Sequence, residues 1–247
     1  MTTAVIVQAR MGSSRLPGKV MQWIGDRTVL DHVLSRCAKI PGVDVVVCAV
    51  PNESASDDLA SVARHCGAAT FYGSETDVLS RYAGAARHVG AKVVMRVTSD
   101  CPLIDPDVCG EVLVLRHRAG LDYAANNSPP SFPHGLDCEA MTADALYEAD
   151  SVAVGGNDRE HVTPWLRRAG HIKRGNLACP VSDVAELRWT LDYPEDLEFF
   201  RQVFQRLPNG SVGMKDVLDL LAREPVLSSI NGVRHETRVP QQSGTPK

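Results

Sequence analysis

No apolar run in this 247-residue chain approaches the ~20 residues that cross a bilayer, so no membrane partner is expected. Nor does a cationic segment precede an apolar core at the start, where Met1 leads almost directly into the apolar residues 4–7. Without such a leader the chain reads as cytoplasmic. A net charge of −4 lacks the basic excess that broad nucleic-acid binding leaves, which removes nucleic acid as a partner. The seven cysteines (Cys37, Cys48, Cys66, Cys101, Cys109, Cys138 and Cys179) form no Cys-x-x-Cys pair. Their odd number and intracellular setting point to reduced thiols, neither zinc ligands nor a disulfide frame. Cys101 falls in a suspected site, but no neighbouring base would activate it. Internal repeats and low-complexity tracts are absent. Two phosphate-loop signatures are missing as well. GxxxxGK[ST] fails because Val20 follows Lys19, and GxGxxG fails because residues 8–19 hold only Gly12 and Gly18.

What is there is ordinary globular material, 44% hydrophobic and 23% charged, in a length that suits one large α/β domain. We place that domain at residues 1–233 and expect a disordered polar tail over 234–247. Apolar, β-branched runs predict strands at residues 4–7, 44–50 and 92–98, with a short one near Phe71 and Tyr72. Amphipathic spacing predicts helices over 28–40, from Ser56 to 65, over 76–89, and from Asp105 or Asp107 towards 117. This alternation means a mostly parallel central sheet flanked by helices on both faces. Ligands of such sheets sit at the carboxyl ends of the strands. The loop after the first strand carries Arg10, Gly12, Ser13, Ser14, Arg15 and Lys19, a set suited to a polyphosphate. It would share one rim with Asp100. Beyond residue 121 the pattern loosens. Strands are expected at 138–141, 172–177 and 187–190, a helix capped by Thr142, a short helix ending near 168, and later helices ending near 207 and 223.

Five blocks in order carry a resemblance. They are Gln8-Ala9-Arg10-Met11-Gly12-Ser13-Ser14-Arg15-Leu16-Pro17-Gly18-Lys19, the run from Gly73 to Tyr82 (GSETDVLSRY), Arg96-Val97-Thr98-Ser99-Asp100-Cys101-Pro102, Arg159-Glu160-His161-Val162-Thr163-Pro164, and Leu191-Asp192-Tyr193-Pro194-Glu195-Asp196-Leu197. Together they span roughly residues 4–205. In them the chain resembles the cytidylyltransferases that activate acidic sugars, the CMP-Kdo and CMP-acylneuraminate synthetases, and especially the branch of spore coat polysaccharide protein F.

That resemblance implies a nucleotide-diphospho-sugar transferase (GT-A-like) fold, and Mg²⁺-dependent transfer of CMP from CTP to an acidic acceptor with release of pyrophosphate. It implies catalytic roles for Arg10, Arg15, Lys19 and Asp100, and a metal held by Asp100 and Asp192. Ala9, Gly12, Ser13, Ala49, Pro51, Ser74, Ser80 and Arg81 would join the basic residues around the nucleotide. The irregular middle would supply the acceptor pocket through Asn126, His134, Asp137, Glu139, Arg159 and His161. A homodimer is implied too, with residues 120–180 serving acceptor binding and dimerisation. Other readings stay open at this point. Asp100 and Asp192 also suit helix caps at strand-to-helix junctions. A glycosyltransferase on the same fold would usually carry Asp-x-Asp, where Ser99-Asp100-Cys101 has one aspartate. A non-catalytic nucleotide-binding module would not need both carboxylates. The acceptor could be a sugar acid, another small acid or a phosphonate.

Overall fold

A computed structural model describes residues 1–207 and 212–232, so the tail expected from residue 234 lies outside the described residues. The chain begins with β1 (Thr3–Gln8), a small hairpin of β2 (Trp23–Ile24) and β3 (Arg27–Thr28), α1 (Val29–Cys37) and β4 (Val45–Pro51). Then come α2 (Asp57–His65), β5 (Ala69–Gly73), α3 (Val78–His88), β6 (Val93–Thr98) and α4 (Pro106–Arg118). The second half holds β7 (Tyr123–Ala125), β8 (Glu139–Thr142), α5 (Ala143–Val152), α6 (Gly156–His161), α7 (Pro164–Arg168) and β9 (Arg174–Asn176). It closes with α8 (Pro194–Arg206), α9 (Met214–Arg223) and α10 (Val226–Ser229).

Seven strands form one sheet in the order β5-β4-β1-β6-β8-β7-β9. The first four in that order are parallel, and β8 runs antiparallel to both β6 and β7. Both faces of β1 are covered, which is why its middle is an unbroken apolar run. Val5 and Val7 meet α1, α2 and α4 on one face, while Ala4 and Ile6 meet α3, α5 and α7 on the other. A third cluster packs α8, α9 and α10 around Trp189, Phe199 and Phe200. Register places Gln8 beside both Ala49 and Thr98, so β1, β4 and β6 end in one row. Tyr82 pins this end from below, its hydroxyl donating to the carbonyls of Ile6 and Val97 at 3.2 Å.

Three local expectations change. Residues 187–190 are not a strand; they touch residue 134 through a single bridge, His134 with Arg188. The partner chain turns away at Gly135, whose φ of 116° only glycine adopts without strain. Ser56 precedes α2, yet its hydroxyl makes no capping bond. The β2–β3 hairpin and β7 escape periodicity because each strand is only two or three residues long.

The contact at Gly135 yields a prediction. A Cβ there would lie 2.0 Å from the Trp189 carbonyl oxygen, with backbone on both sides of the clash. Gly135→Ala should lower unfolding free energy by more than ~2 kcal/mol, since strain and lost contact add. Urea denaturation measures it; an unchanged midpoint would mean that the two segments separate freely.

Candidate active site

The basic loop leaves β1 and folds back on itself. Gly18 takes a left-handed conformation (φ 64°) and its N–H reaches the Met11 carbonyl, which turns the chain into a short 3₁₀ segment starting at Lys19. Buried Val20 anchors that segment. Lys19 therefore points across the strand ends. Its ammonium lies 2.8 Å from Asp100 Oδ2, 3.0 Å from Asp192 Oδ1 and 2.8 Å from the Leu191 carbonyl.

Asp100 stands two residues past β6. Asp192 arrives from the far end of the chain because Leu191 N–H donates to the Asp100 carbonyl at 2.8 Å, setting the two aspartates side by side. Neither caps a helix. Asp105 accepts from the Asp107 and Val108 amides at the start of α4, and Asp196 accepts from the Asp192 and Tyr193 amides at the start of α8. Buried Asp196 is itself paired with Arg188 at 2.9 Å.

Charges at this point are concentrated. Burial alone would raise the Asp100 carboxyl, but the Lys19 ammonium outweighs it and holds the group well below the usual carboxylate range. Asp192 is lowered by the same balance of burial against Lys19, with Asp100 opposing and Arg188 assisting. Lys19 is raised in turn, as the two carboxylates overcome its desolvation. Arg188 lies 3.0 Å from Asp192 and Arg15 3.5 Å from it, and both guanidiniums sit over the Tyr193 ring. Both carboxyls are held below their ordinary range, and one cation already sits where they converge. That is a position for positive charge. Two hard carboxylate donors suit Mg²⁺, which takes one or two from a protein and completes its shell with water and substrate oxygens. Among the described residues no group of three His, Cys, Asp or Glu side chains is placed to hold a metal.

Lys19, Asp100 and Asp192 border a cavity of about 320 Å³ that also reaches Gln8, Thr98, Ser99, Arg81, Glu160 and His161. Ala9, Arg10, Gly12, Ser13 and Arg15 line it too, with Arg10 exposed. Arg81 is 2% exposed and bonds the Ser74 and Glu75 carbonyls, and its Nε has no hydrogen-bond partner among the described residues. Arg81 lines this cavity and so brings a further positive charge to its wall.

Several residues expected around the ligands stand elsewhere. Ala49 is fully buried inside β4, where its carbonyl accepts from Ala9, and Pro51 pairs with Gly73 at the strand end; neither lines the cavity. Ser74 Oγ accepts from the Asp77 amide, and the Ser80 amide donates to Asp77, so both sit in the cap of α3. Of the six acceptor residues only His161 borders the cavity. Asn126 is 1% exposed, with its amide spent on the Leu136 carbonyl and the Cys138 N–H. Arg159 pairs with Asp77 at 2.6 Å and Asp150 at 2.9 Å, tying α6 to α3 and α5. Asp137 accepts from the Gly135 N–H, and His134 sits 3.9 Å from it. Glu139 lies buried between Arg96 and Arg167. Of the lining residues missed in the sequence, Gln8, Val78, Thr98, Ser99 and Glu160 sit inside the quoted blocks, and Val20 directly follows the first of them.

Known proteins resemble this chain in sequence and in fold. The cytidylyltransferase family profile matches residues 4–174. Spore coat polysaccharide biosynthesis protein SpsF of Bacillus subtilis is 30% identical over 231 residues, covering 89% of this chain and 94% of that protein. A cytidylyltransferase from Leptospira borgpetersenii superposes with a TM-score of 0.87 at 26% identity, over 97% of this chain and 99% of its own. CMP:2-keto-3-deoxy-manno-octonic acid synthetase, solved in complex with CTP, shares the fold at a TM-score of 0.66 and 17% identity, over 84% of this chain and all of its own. The profile runs from β1 to the start of β9, and a relative is alike over nearly its whole length: this chain belongs to the cytidylyltransferase family and is a nucleotidyltransferase enzyme.

Proposed function

We propose that the enzyme transfers CMP from CTP to a small acidic acceptor, a sugar acid or comparable acid, and releases pyrophosphate. The carrying observation is the Lys19 ammonium held between Asp100 and Asp192 at the end of a basic loop. In the reaction an acceptor oxygen bonds to the α-phosphorus while the bond from that phosphorus to the bridging oxygen breaks, and pyrophosphate departs with the electron pair. The protein's part in such a transfer is alignment and charge. Arg10, Arg15 and the amides around Gly12 and Ser13 border the cavity where a triphosphate would lie. Asp100 and Asp192 would hold a divalent cation, Mg²⁺ in this reading, which supplies Lewis-acid charge at the phosphate oxygens. Lys19, a compact charge on a flexible stem at the rim of the cavity, would serve the leaving pyrophosphate.

A pyrophosphate-release assay with CTP, Mg²⁺ and a panel of acids including 3-deoxy-manno-octulosonate tests this. Release is expected only when nucleotide, acid and divalent cation are all present. Tighter binding of a nucleotide-sugar than of CTP would move the reading to a glycosyltransferase. CTP binding without turnover of any acid would leave a binding module.

A further inference from the structure

His161, Val162 and Thr163 form a turn that few sequences tolerate. Val162 has φ 71° and ψ −52°, and the Thr163 N–H donates to the His161 carbonyl at 2.8 Å. This is the rarer, strained form of the three-residue γ-turn. A β-branched residue at its centre is an outlier, and such backbone persists only where the surroundings over-determine it. Here they do. Val162 is fully buried in the apolar cluster of α3, α5 and α7. Arg168 pairs with buried Asp158 on one side of the turn, and on the other Thr163 Oγ1 donates to Glu139 at 2.7 Å.

Glu139 is the common anchor of two arms that reach the nucleotide cavity. One runs through Thr163 and the strained turn to His161, which lines the cavity. The other runs through Arg96, 2.7 Å from Glu139, whose Nη2 donates to Gln8 Oε1 at 3.3 Å; Gln8 also lines the cavity. With Oε1 taken by Arg96, Gln8 offers a ligand its amide N–H groups. Arg167, Tyr123 and Thr163 share the second Glu139 oxygen, so the anchor cannot swing.

We propose that Gln8 and His161 form the wall that contacts the acceptor, and that Glu139 is the positioning residue that sets both. The inference rests on the cytidylyl-transfer reading for the word acceptor. It assigns an oxygen-rich acid, recognised by nitrogen donors, to the side of the cavity lined by Gln8 and His161, while Lys19, Asp100 and Asp192 serve the phosphates. Glu139 touches no ligand in this scheme.

Thr163→Val separates the claim from the overall reading. It keeps the shape of the side chain, removes the hydroxyl that reaches Glu139, and leaves the Arg96 and Arg167 pairs intact. In protein carrying ¹³C-labelled histidine, with the His161 ring signal assigned by its loss in His161→Gln, that signal should shift and broaden in Thr163→Val. Thr163→Ser, which retains the hydroxyl, should restore it. With whichever acid the release assay finds active, KM for the acid should rise about tenfold and KM for CTP stay within about twofold. An unmoved ring signal in Thr163→Val overturns the positioning role, as does an equal rise in both KM values. If no acid is turned over, the functional reading falls, and the ring signal still decides the positioning.

Discussion

Asp100→Asn should reduce pyrophosphate release by at least 10²–10³-fold while the protein stays folded. Asparagine keeps the size of the side chain and removes its charge. The loop should hold, because Lys19 retains Asp192 at 3.0 Å and the Leu191 carbonyl at 2.8 Å. The Lys19–Asp100 pair is largely buried, its side chains 15% and 25% exposed, so the thermal midpoint should fall as well, by several degrees, with Asp192 still pairing Lys19. Turnover is another matter. With one carboxylate the cation position loses half its protein charge, and Lys19 loses one of the two carboxylates that neutralise it. Raising the divalent cation concentration should recover part of the rate in Asp100→Asn if the loss is one of cation affinity. Turnover unchanged at ordinary cation concentration would remove Asp100 from the reaction. The Asp192→Asn variant offers a comparison. Arg188, Arg15 and Lys19 would then face a neutral amide, so part of its effect would come from misplaced cations.

The sheet was legible because each parallel strand must bury both faces, and that demand writes β-branched runs such as Val45–Pro51 directly into the chain. The rim was legible for a topological reason. Parallel strands send their following loops to one side, so residues after β1 and β6 had to meet. The structure brings Lys19 and Asp100 together across 81 positions. Asp192 was expected after a strand; it is carried instead by a backbone bond from Leu191 to Asp100, which has no sequence signature. The middle of the chain was the least legible. A polar residue that holds backbone and one that holds ligand look identical when their partners are distant. Arg159 finds Asp77 across 82 positions, and Glu139 finds Arg96 across 43. Neither distance shows in any local pattern.

Glu139→Ala should be the most destabilising substitution at a charged residue, costing about 3–5 kcal/mol, because it strands Arg96 and Arg167 beside each other with no carboxylate between them. Glu139→Gln should cost less, since an amide keeps the shape and one acceptor oxygen. The pair of variants also fixes the pH dependence. Burial alone would raise the Glu139 carboxyl, but Arg167 and Arg96 bring it down to about 2 from an ordinary 4.5. A carboxyl lowered on folding adds stability that is complete above its unfolded pKa and fades as pH falls towards the folded one. The stabilisation from Glu139 should therefore be whole above pH 4.5 and decline from there to about pH 2. Asp100 is lowered as well, but it is common to wild type and Glu139→Gln and so cancels in their difference. Urea midpoints of the two proteins should stand apart at neutral pH and converge on acidification through that window. Curves that stay parallel would mean that the two arginines stabilise a neutral Glu139 as well as an ionised one, which charge-assisted bonds of 2.5 and 2.7 Å do not allow.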